Sequence, residues 1–274
     1  MTIAITIPLY NQLHYTKLCI ESIGKYAPRD VQLIFVDNAS TDGTGDFLSG
    51  LDNTCSSIIS NRENLGCAGA WNQGISAASK AEWIIILNND VIVSPGWIAG
   101  LQQAAERWSL DIVSPGIREG AYNYDIESYA REYVTQMHAT IRRGAAHGIC
   151  FMVHRRVFDA IGGFDENFRI GQFEDKDFFL RASRAGFRLG TVGCSFLHHF
   201  GSVTQDALRK TKVVKPYVIE NRAYYNKKWR LSWWQRALSR NRTKLTNRLH
   251  SLGERLLHRH TLMEKWINGR LRYY

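Results

Sequence analysis

Two apolar runs in this chain each end on an aspartate, the arrangement by which an α/β protein presents a ligand for a cation or a diphosphate. Trp83-Ile84-Ile85-Ile86-Leu87 delivers Asn88-Asn89-Asp90, and Val31-Gln32-Leu33-Ile34-Phe35-Val36 delivers Asp37-Asn38-Ala39-Ser40. Open parallel sheets bind ligands beyond the carboxyl ends of their strands. Oxygen ligands suit Mg²⁺ or Mn²⁺, and a bound diphosphate adds oxygens of its own, so the protein need supply few. One strand-end aspartate most often caps the following turn; two of them favour a ligand site, with Asp90 the leading metal candidate.

A second acidic group lies downstream at Phe173-Glu174-Asp175-Lys176-Asp177. Its adjacent carboxylates can divide duties, one orienting or tuning the other while that one takes a hydroxyl proton. An unperturbed Asp, with a pKa of about 3.9, is a weak base at neutral pH, so position matters more than basicity. A helix entered at Glu174 sets Asp177 and Arg181 four apart on one face, the spacing of a structural ion pair. His198-His199-Phe200-Gly201-Ser202 offers an imidazole for a metal or diphosphate, with His199 preferred over His198 and His147, and Ser202 as a phosphate donor. Arg142, Arg143, Tyr122 and Tyr124 fit either a saccharide subsite or ordinary surface and core positions.

The elements that must hold these groups alternate strand and helix at βαβ spacing, which implies an α/β fold. Strands are expected at 2–8, 31–36, 57–60, 83–87, 111–114, 148–154 and 193–197, with helices at 11–24, 68–78, 95–108 and 155–161. Thr41 or Asp42 reads as a helix cap. The glycines of Asn64-Leu65-Gly66-Cys67-Ala68-Gly69 permit close backbone approach. The interval from Gly116 to Gly144, rich in Tyr and charge, reads as an irregular or hairpin insertion near an acceptor groove.

Charge divides the 274 residues unevenly. Residues 222–274 carry 14 Lys or Arg against 2 Glu, whereas the preceding residues hold 21 basic and 23 acidic side chains. A domain over 1–221 with a basic, aromatic-rich helical tail over 222–274 is therefore expected. The tail's Trp229, Trp233, Trp234, Trp266, Tyr273 and Tyr274 suit an anionic membrane surface, and a helical hairpin packed on the main domain suits them equally. No apolar run approaches the roughly 20 residues that span a bilayer, and no secretory leader is evident. Five scattered cysteines without a paired metal motif suit a reducing compartment. A cytoplasmic protein, peripheral on the cytoplasmic membrane face, is the expected placement.

Taken together, Ile7-Pro8-Leu9-Tyr10-Asn11, Val36-Asp37-Asn38-Ala39-Ser40-Thr41-Asp42-Gly43, Asn64 through Gly74, Leu87-Asn88-Asn89-Asp90, Gly162-Gly163-Phe164-Asp165 and Glu174-Asp175-Lys176-Asp177 resemble glycosyltransferase family 2. The likeness is to its rhamnosyltransferase-like branch and covers roughly residues 2–202. It implies a GT-A-type fold with a mainly parallel central sheet and a basic helical C-terminal extension. It also implies an inverting transfer from a UDP- or dTDP-sugar to an oligosaccharide or lipid-linked saccharide in cell-surface polysaccharide or lipopolysaccharide synthesis.

By the same resemblance Pro8, Tyr10, Asp37, Asn64, Gly66, Asn72 and Asn89 belong to the nucleotide-sugar pocket, with Asp37 on the pyrimidine base. Asp90 and His199 hold the metal, and Asp175 is the general base with Glu174 beside it. Asn88 stands where the family's metal motif has its first acid, which weakens bidentate holding of a cation by protein alone. The readings from other classes are a non-catalytic sugar-nucleotide-binding assembly or regulatory protein, nucleotidyl transfer, and nucleic-acid binding by the tail; nucleic acid is the least favoured partner.

Overall fold

Trp83–Leu87 is buried at every position because its alternate side chains feed two different cores. Trp83, Ile85 and Leu87 join one apolar cluster, and Ile84 and Ile86 join another on the opposite face of the sheet. A strand covered on both faces reads as a continuous apolar run rather than an alternating one. The computed structural model describes residues 1–51, 56–201, 214–268 and 270–273.

Strands β1 (Ile3–Leu9), β2 (Gln32–Asp37), β3 (Ser56–Ser60) and β4 (Trp83–Leu87) form a parallel block in the order β3-β2-β1-β4. This block points its carboxyl ends, and with them Asp37 and the Asn88-Asn89-Asp90 turn, toward the same edge. The sheet continues beyond β4 through β8 (Cys150–His154), antiparallel to β4, and then β6 (Ile112–Glu119). β9 (Leu189–His199) lies parallel to β6 and also takes the short strands β5 (Val91–Val93) and β7 (Ile141–Arg143) antiparallel.

Helices cover both faces. α1 (Leu13–Tyr26) and α4 (Trp97–Trp108) bring Cys19, Ile23, Trp97 and Leu101 to one cluster. α3 (Gly66–Ala77), α6 (Arg155–Ile161) and α7 (Glu174–Arg184) bring Trp71, Phe158 and Phe178 to the other. Thr16, Cys19, Ser22 and Ile23 form the buried side of α1, while Leu13 and Leu18 are only half-buried. The loops after β1 and β2 interlock: Thr41 N–H donates to Asn11 Oδ1 at 2.7 Å and Leu13 N–H to Asp42 Oδ2 at 2.8 Å. Asp42 also accepts from Thr44 at the start of α2 (Thr44–Ser49), although Gly43 occupies the cap position itself.

One expectation needs correction. Residues 116–144 are regular over most of their length, because β6 runs on to Glu119 and α5 (Ile126–Met137) follows. The Asp125 side chain caps α5 by accepting from Ser128 N–H at 2.7 Å, and Ile126, Ala130, Tyr133 and Met137 recur along its buried face.

The C-terminal segment is helical, as expected, over α8 (Val214–Lys228) and α9 (Trp233–His258), and it continues into strands β10 (Met263–Ile267) and β11 (Arg270–Tyr273). β10 pairs parallel with β6 and β11 closes the sheet edge, so the expected boundary at residue 221 falls inside α8 and the segment completes the main sheet. Cys19, Cys67, Cys150 and Cys194 are free.

Candidate active site

Strand pairing brings Asp90 to His199. Val91 on β5 is paired with His199 on β9, and Phe200 N–H donates to Asp90 O at 3.0 Å. His199 Nε2 then lies 3.4 Å from Asp90 Oδ2, while its Nδ1 lies 3.4 Å from Glu119 Oε2. Burial alone would lower the imidazole's pKa, but Asp90 and Glu119 outweigh it and raise it to about 9. Glu119, ion-paired with His199 and with Lys265 of β10, is held down at about 2. His198 faces the other way, as alternation along a strand requires. Its Nδ1 shares a 3.0 Å hydrogen bond with Tyr124 Oη among Tyr122 and Phe200, and burial lowers its pKa to about 3.

Glu174 and Asp175 open α7 directly after a backbone turn in which Ile170, Gln172 and Phe173 all have positive φ. Three non-glycine residues in that region are costly, so the turn needs external support. Asn221 of α8 supplies it, its amide donating to the carbonyls of Arg169, Gly171 and Gln172 while its oxygen accepts from Arg169 N–H. Gly66 supports it from α3: a Cβ there would lie 2.9 Å from Ile170 N, and Cys67 N–H donates to Ile170 O.

Asp175 is fixed by Lys176 N–H, which donates to Oδ1 at 2.7 Å, and lies against Gly148, where a Cβ would sit 2.7 Å from Oδ2. Burial raises the pKa of Asp175, and burial together with the charge of Asp175 raises that of Glu174. Glu174 is 4% exposed, and its Oε2 has no hydrogen-bond partner among the described residues, which favours the protonated form.

These groups face one cavity of about 480 Å³. Pro8, Tyr10, Asn64, Asn89, Asp90, Glu174, Asp175 and His199 all line it, although their strands and loops are widely separated in sequence. Asn89 also spends its amide on Thr16 Oγ1, at 3.0 Å, which anchors α1. Gly66 lies behind the wall rather than in it.

Asp37 is buried next to Asn38, which does line the cavity, but its own Oδ1 accepts from Ser40 N–H and its Oδ2 lies under Gly45 of α2. Asn72 does not line the cavity either: it accepts from Phe164 N–H and donates to Phe164 O and Glu166, so its amide is committed to the Gly162-Gly163-Phe164 turn. Asp177 is fully buried between Arg181, Lys228 and Trp229. Arg142 binds Glu254 through two contacts of 2.7 Å and has no part in the cavity. Ser202 and Tyr274 lie outside the described residues.

A sequence model of the family described as glycosyl transferase family 2 matches residues 4–162, more than half of the chain. The chain belongs to glycosyl transferase family 2. Among curated relatives of this family 2 chain, Streptococcus pneumoniae glycosyltransferase GlyG is 33% identical over 45% of the chain and 40% of that protein. Bacillus subtilis EpsJ is 27% identical over 68% of the chain and 57% of its own length, so the chain spans about half the length of these relatives. A Mycobacterium tuberculosis N-acetylglucosaminyl-diphospho-decaprenol L-rhamnosyltransferase is 27% identical over 66% of the chain and 70% of that protein. The GT-A-type fold is shared with a crystal structure of GalNAc-T7, at a TM-score of 0.60 and 17% identity over 82% of the chain and 50% of that one.

Several residues that shape the family 2 site carry no obvious local signal. Glu119 ends a strand just as Asp37 does, and it escapes notice only because residues 116–144 look irregular. Asn221 and Gly148 act through contacts with distant backbone or side chains. Tyr217 and Arg222 reach the cavity from α8, on either side of the boundary expected at residue 221.

Asp90 and His199 fit Mg²⁺ or Mn²⁺ as a small mixed donor set that a donor diphosphate would complete. His199 would hold the ion as the neutral imidazole, so an arriving cation would displace the proton that Asp90 and Glu119 favour on the ring. Among the described residues no three His, Cys, Asp or Glu side chains converge to hold an ion by themselves.

Proposed function

We propose that this family 2 chain is an inverting glycosyltransferase that moves a hexosyl or rhamnosyl group from a UDP- or dTDP-sugar to a hydroxyl of a saccharide acceptor. The observation that carries this reading is the meeting of Asp90 and Asp175 in one cavity, a carboxylate for the phosphate end and a carboxylate for the acceptor. Asp175 receives the acceptor hydroxyl's proton on a carboxylate held in place by Lys176 N–H and the bare face of Gly148. The acceptor oxygen bonds to C1 as the bond from C1 to the diphosphate oxygen breaks, so one displacement inverts the anomeric centre. Glu174, held toward its protonated form, leaves Asp175 as the charged member of the pair.

When bound at Asp90 and His199, Mg²⁺ or Mn²⁺ would neutralise charge on the leaving diphosphate. Lys176 and Arg222 add positive charge at the cavity's exposed side. The nucleotide and ion classes follow those in the GalNAc-T7 structure, which holds UDP, GalNAc and Mn²⁺. The mycobacterial relative's named acceptor supports a diphosphate-linked saccharide, and with it a role in cell-surface polysaccharide synthesis. We place the reaction on the cytoplasmic side, in keeping with the four free cysteines.

A mass-resolved screen of UDP- and dTDP-sugars against lipid-linked oligosaccharides tests the reading. An enlarged glycan with released nucleotide diphosphate is expected, with inversion at C1 by NMR. Release of pyrophosphate, or donor binding without an enlarged glycan under any pairing, would overturn it.

A further inference from the structure

We propose that α9 docks the protein on an anionic lipid bilayer, lying along the headgroup layer with one face in the acyl boundary. The proposal goes beyond the transfer reaction and does not depend on it. The helix has 26 residues, about 39 Å at a rise of 1.5 Å each. Trp234, Leu238, Leu245, Leu249, Leu252 and Leu256 are separated by steps of three, four and seven, so they share one side. Each is at least 54% exposed. The body is met from another side, where Ser251 and Glu254 are buried and bonded to Arg142 of β7. Residues 241–250 are exposed without interruption.

Such spacing would also suit pairing with a second copy of the chain, and charge decides between the two occupants. Arg236, Arg242, Lys244, Arg248 and Arg255 are exposed along the same helix, whereas its one acidic residue, Glu254, is buried against Arg142. Two copies would set cation beside cation, with no exposed acid flanking the leucines to pair across the seam. Hydrocarbon beneath anionic headgroups complements both features at once. Arg242, close to the stripe, can lay its stem along the leucines and keep its guanidinium at the headgroups. Trp233 and Trp234 place amphipathic indoles at the helix's start. Among the described residues no helix is long and apolar enough to cross a membrane, so the contact is with one surface.

Cosedimentation of the full chain with sucrose-loaded vesicles tests the proposal, using phosphatidylcholine alone and phosphatidylcholine with one-third phosphatidylglycerol. Binding to the anionic vesicles, weakened by salt, is expected. Leu245→Gln with Leu249→Gln should lower that binding at least about tenfold, because two exposed apolar contacts are lost while the folded body is untouched. Arg242→Gln with Lys244→Gln and Arg248→Gln should erase the preference for anionic lipid, and circular dichroism checks that both variants stay helical. No vesicle binding, or equal binding by the leucine variant, would overturn the proposal. A concentration-dependent dimer in sedimentation velocity, lost in the leucine variant and accompanied by no vesicle uptake, would assign the stripe to a second copy and overturn it as well.

Discussion

Gly148 lies against Asp175 so closely that a Cβ at position 148 would sit 2.7 Å from Asp175 Oδ2 and 3.0 Å from its Cβ. No side chain fits there unless the carboxylate moves. Gly148→Ala should therefore lower kcat by roughly a hundredfold, since small misplacements of a reacting group are that costly, while donor KM changes little. Steady-state kinetics with donor and acceptor varied separately reads this split, and an unchanged kcat would show that the carboxylate's position is not critical.

Asp175→Asn should reduce turnover by about 10²–10⁴-fold, the range associated with general base catalysis. Donor affinity, measured by calorimetry, should remain within about twofold, because the amide preserves shape and hydrogen-bonding reach. Turnover equal to the parent's would remove Asp175 from the role.

Asp90→Asn should weaken Mn²⁺-supported UDP binding by at least roughly tenfold, and Glu119→Gln, acting through His199, by about tenfold. Titrating UDP with and without Mn²⁺ separates ion-dependent from ion-independent binding. Equal Mn²⁺ enhancement in the parent and Asp90→Asn would place the ion elsewhere.

Glu174 has a folded pKa raised by burial and by Asp175. Its stabilising contribution is thus complete below the unfolded value of about 4.3 and is lost as pH rises through the raised folded value. Glu174→Gln removes this titration. The variant's Tm relative to the parent's should accordingly climb with pH across that window, and thermal scans at acidic, neutral and alkaline pH measure it. A constant difference between the two proteins would mean that the carboxyl is not strained by burial.

Arg142 and Glu254 form a buried pair in which Glu254 also accepts from Leu262 N–H at 2.9 Å. Removing one partner leaves a buried charge uncompensated, so Glu254→Ala should cost about 3–5 kcal/mol in chemical denaturation. Because Glu254 ties α9 to β7 and to the approach to β10, the same change should expose the C-terminal segment to limited proteolysis before the rest of the chain unfolds.

Much of the site could be read from local pattern. The run Trp83–Leu87 announces a strand buried on both faces, and the four-residue step from Asp177 to Arg181 becomes an ion pair of 2.9 Å. Adjacent imidazoles on β9 turn to opposite faces because the strand repeat is two, which separates His199 from His198. α5 was hidden because tyrosines and charges dilute the contrast along its apolar face. Asn72 resembles a pocket residue by motif, yet its amide is fully engaged by the turn at Phe164.

By itself the sequence determined the strands and helices with a clear apolar period, such as β4 and α4, where carboxylates fall near strand ends, and where basic charge accumulates. Those properties follow from apolar period, capping and residue type over a few neighbouring positions. Tertiary structure alone decided that β10 would join β6, that Asn221 would brace a turn fifty residues before it, and that Gly148 would face Asp175. Pairing between distant segments is chosen by the packing of the whole sheet and its helices, and no short stretch of residues contains that information.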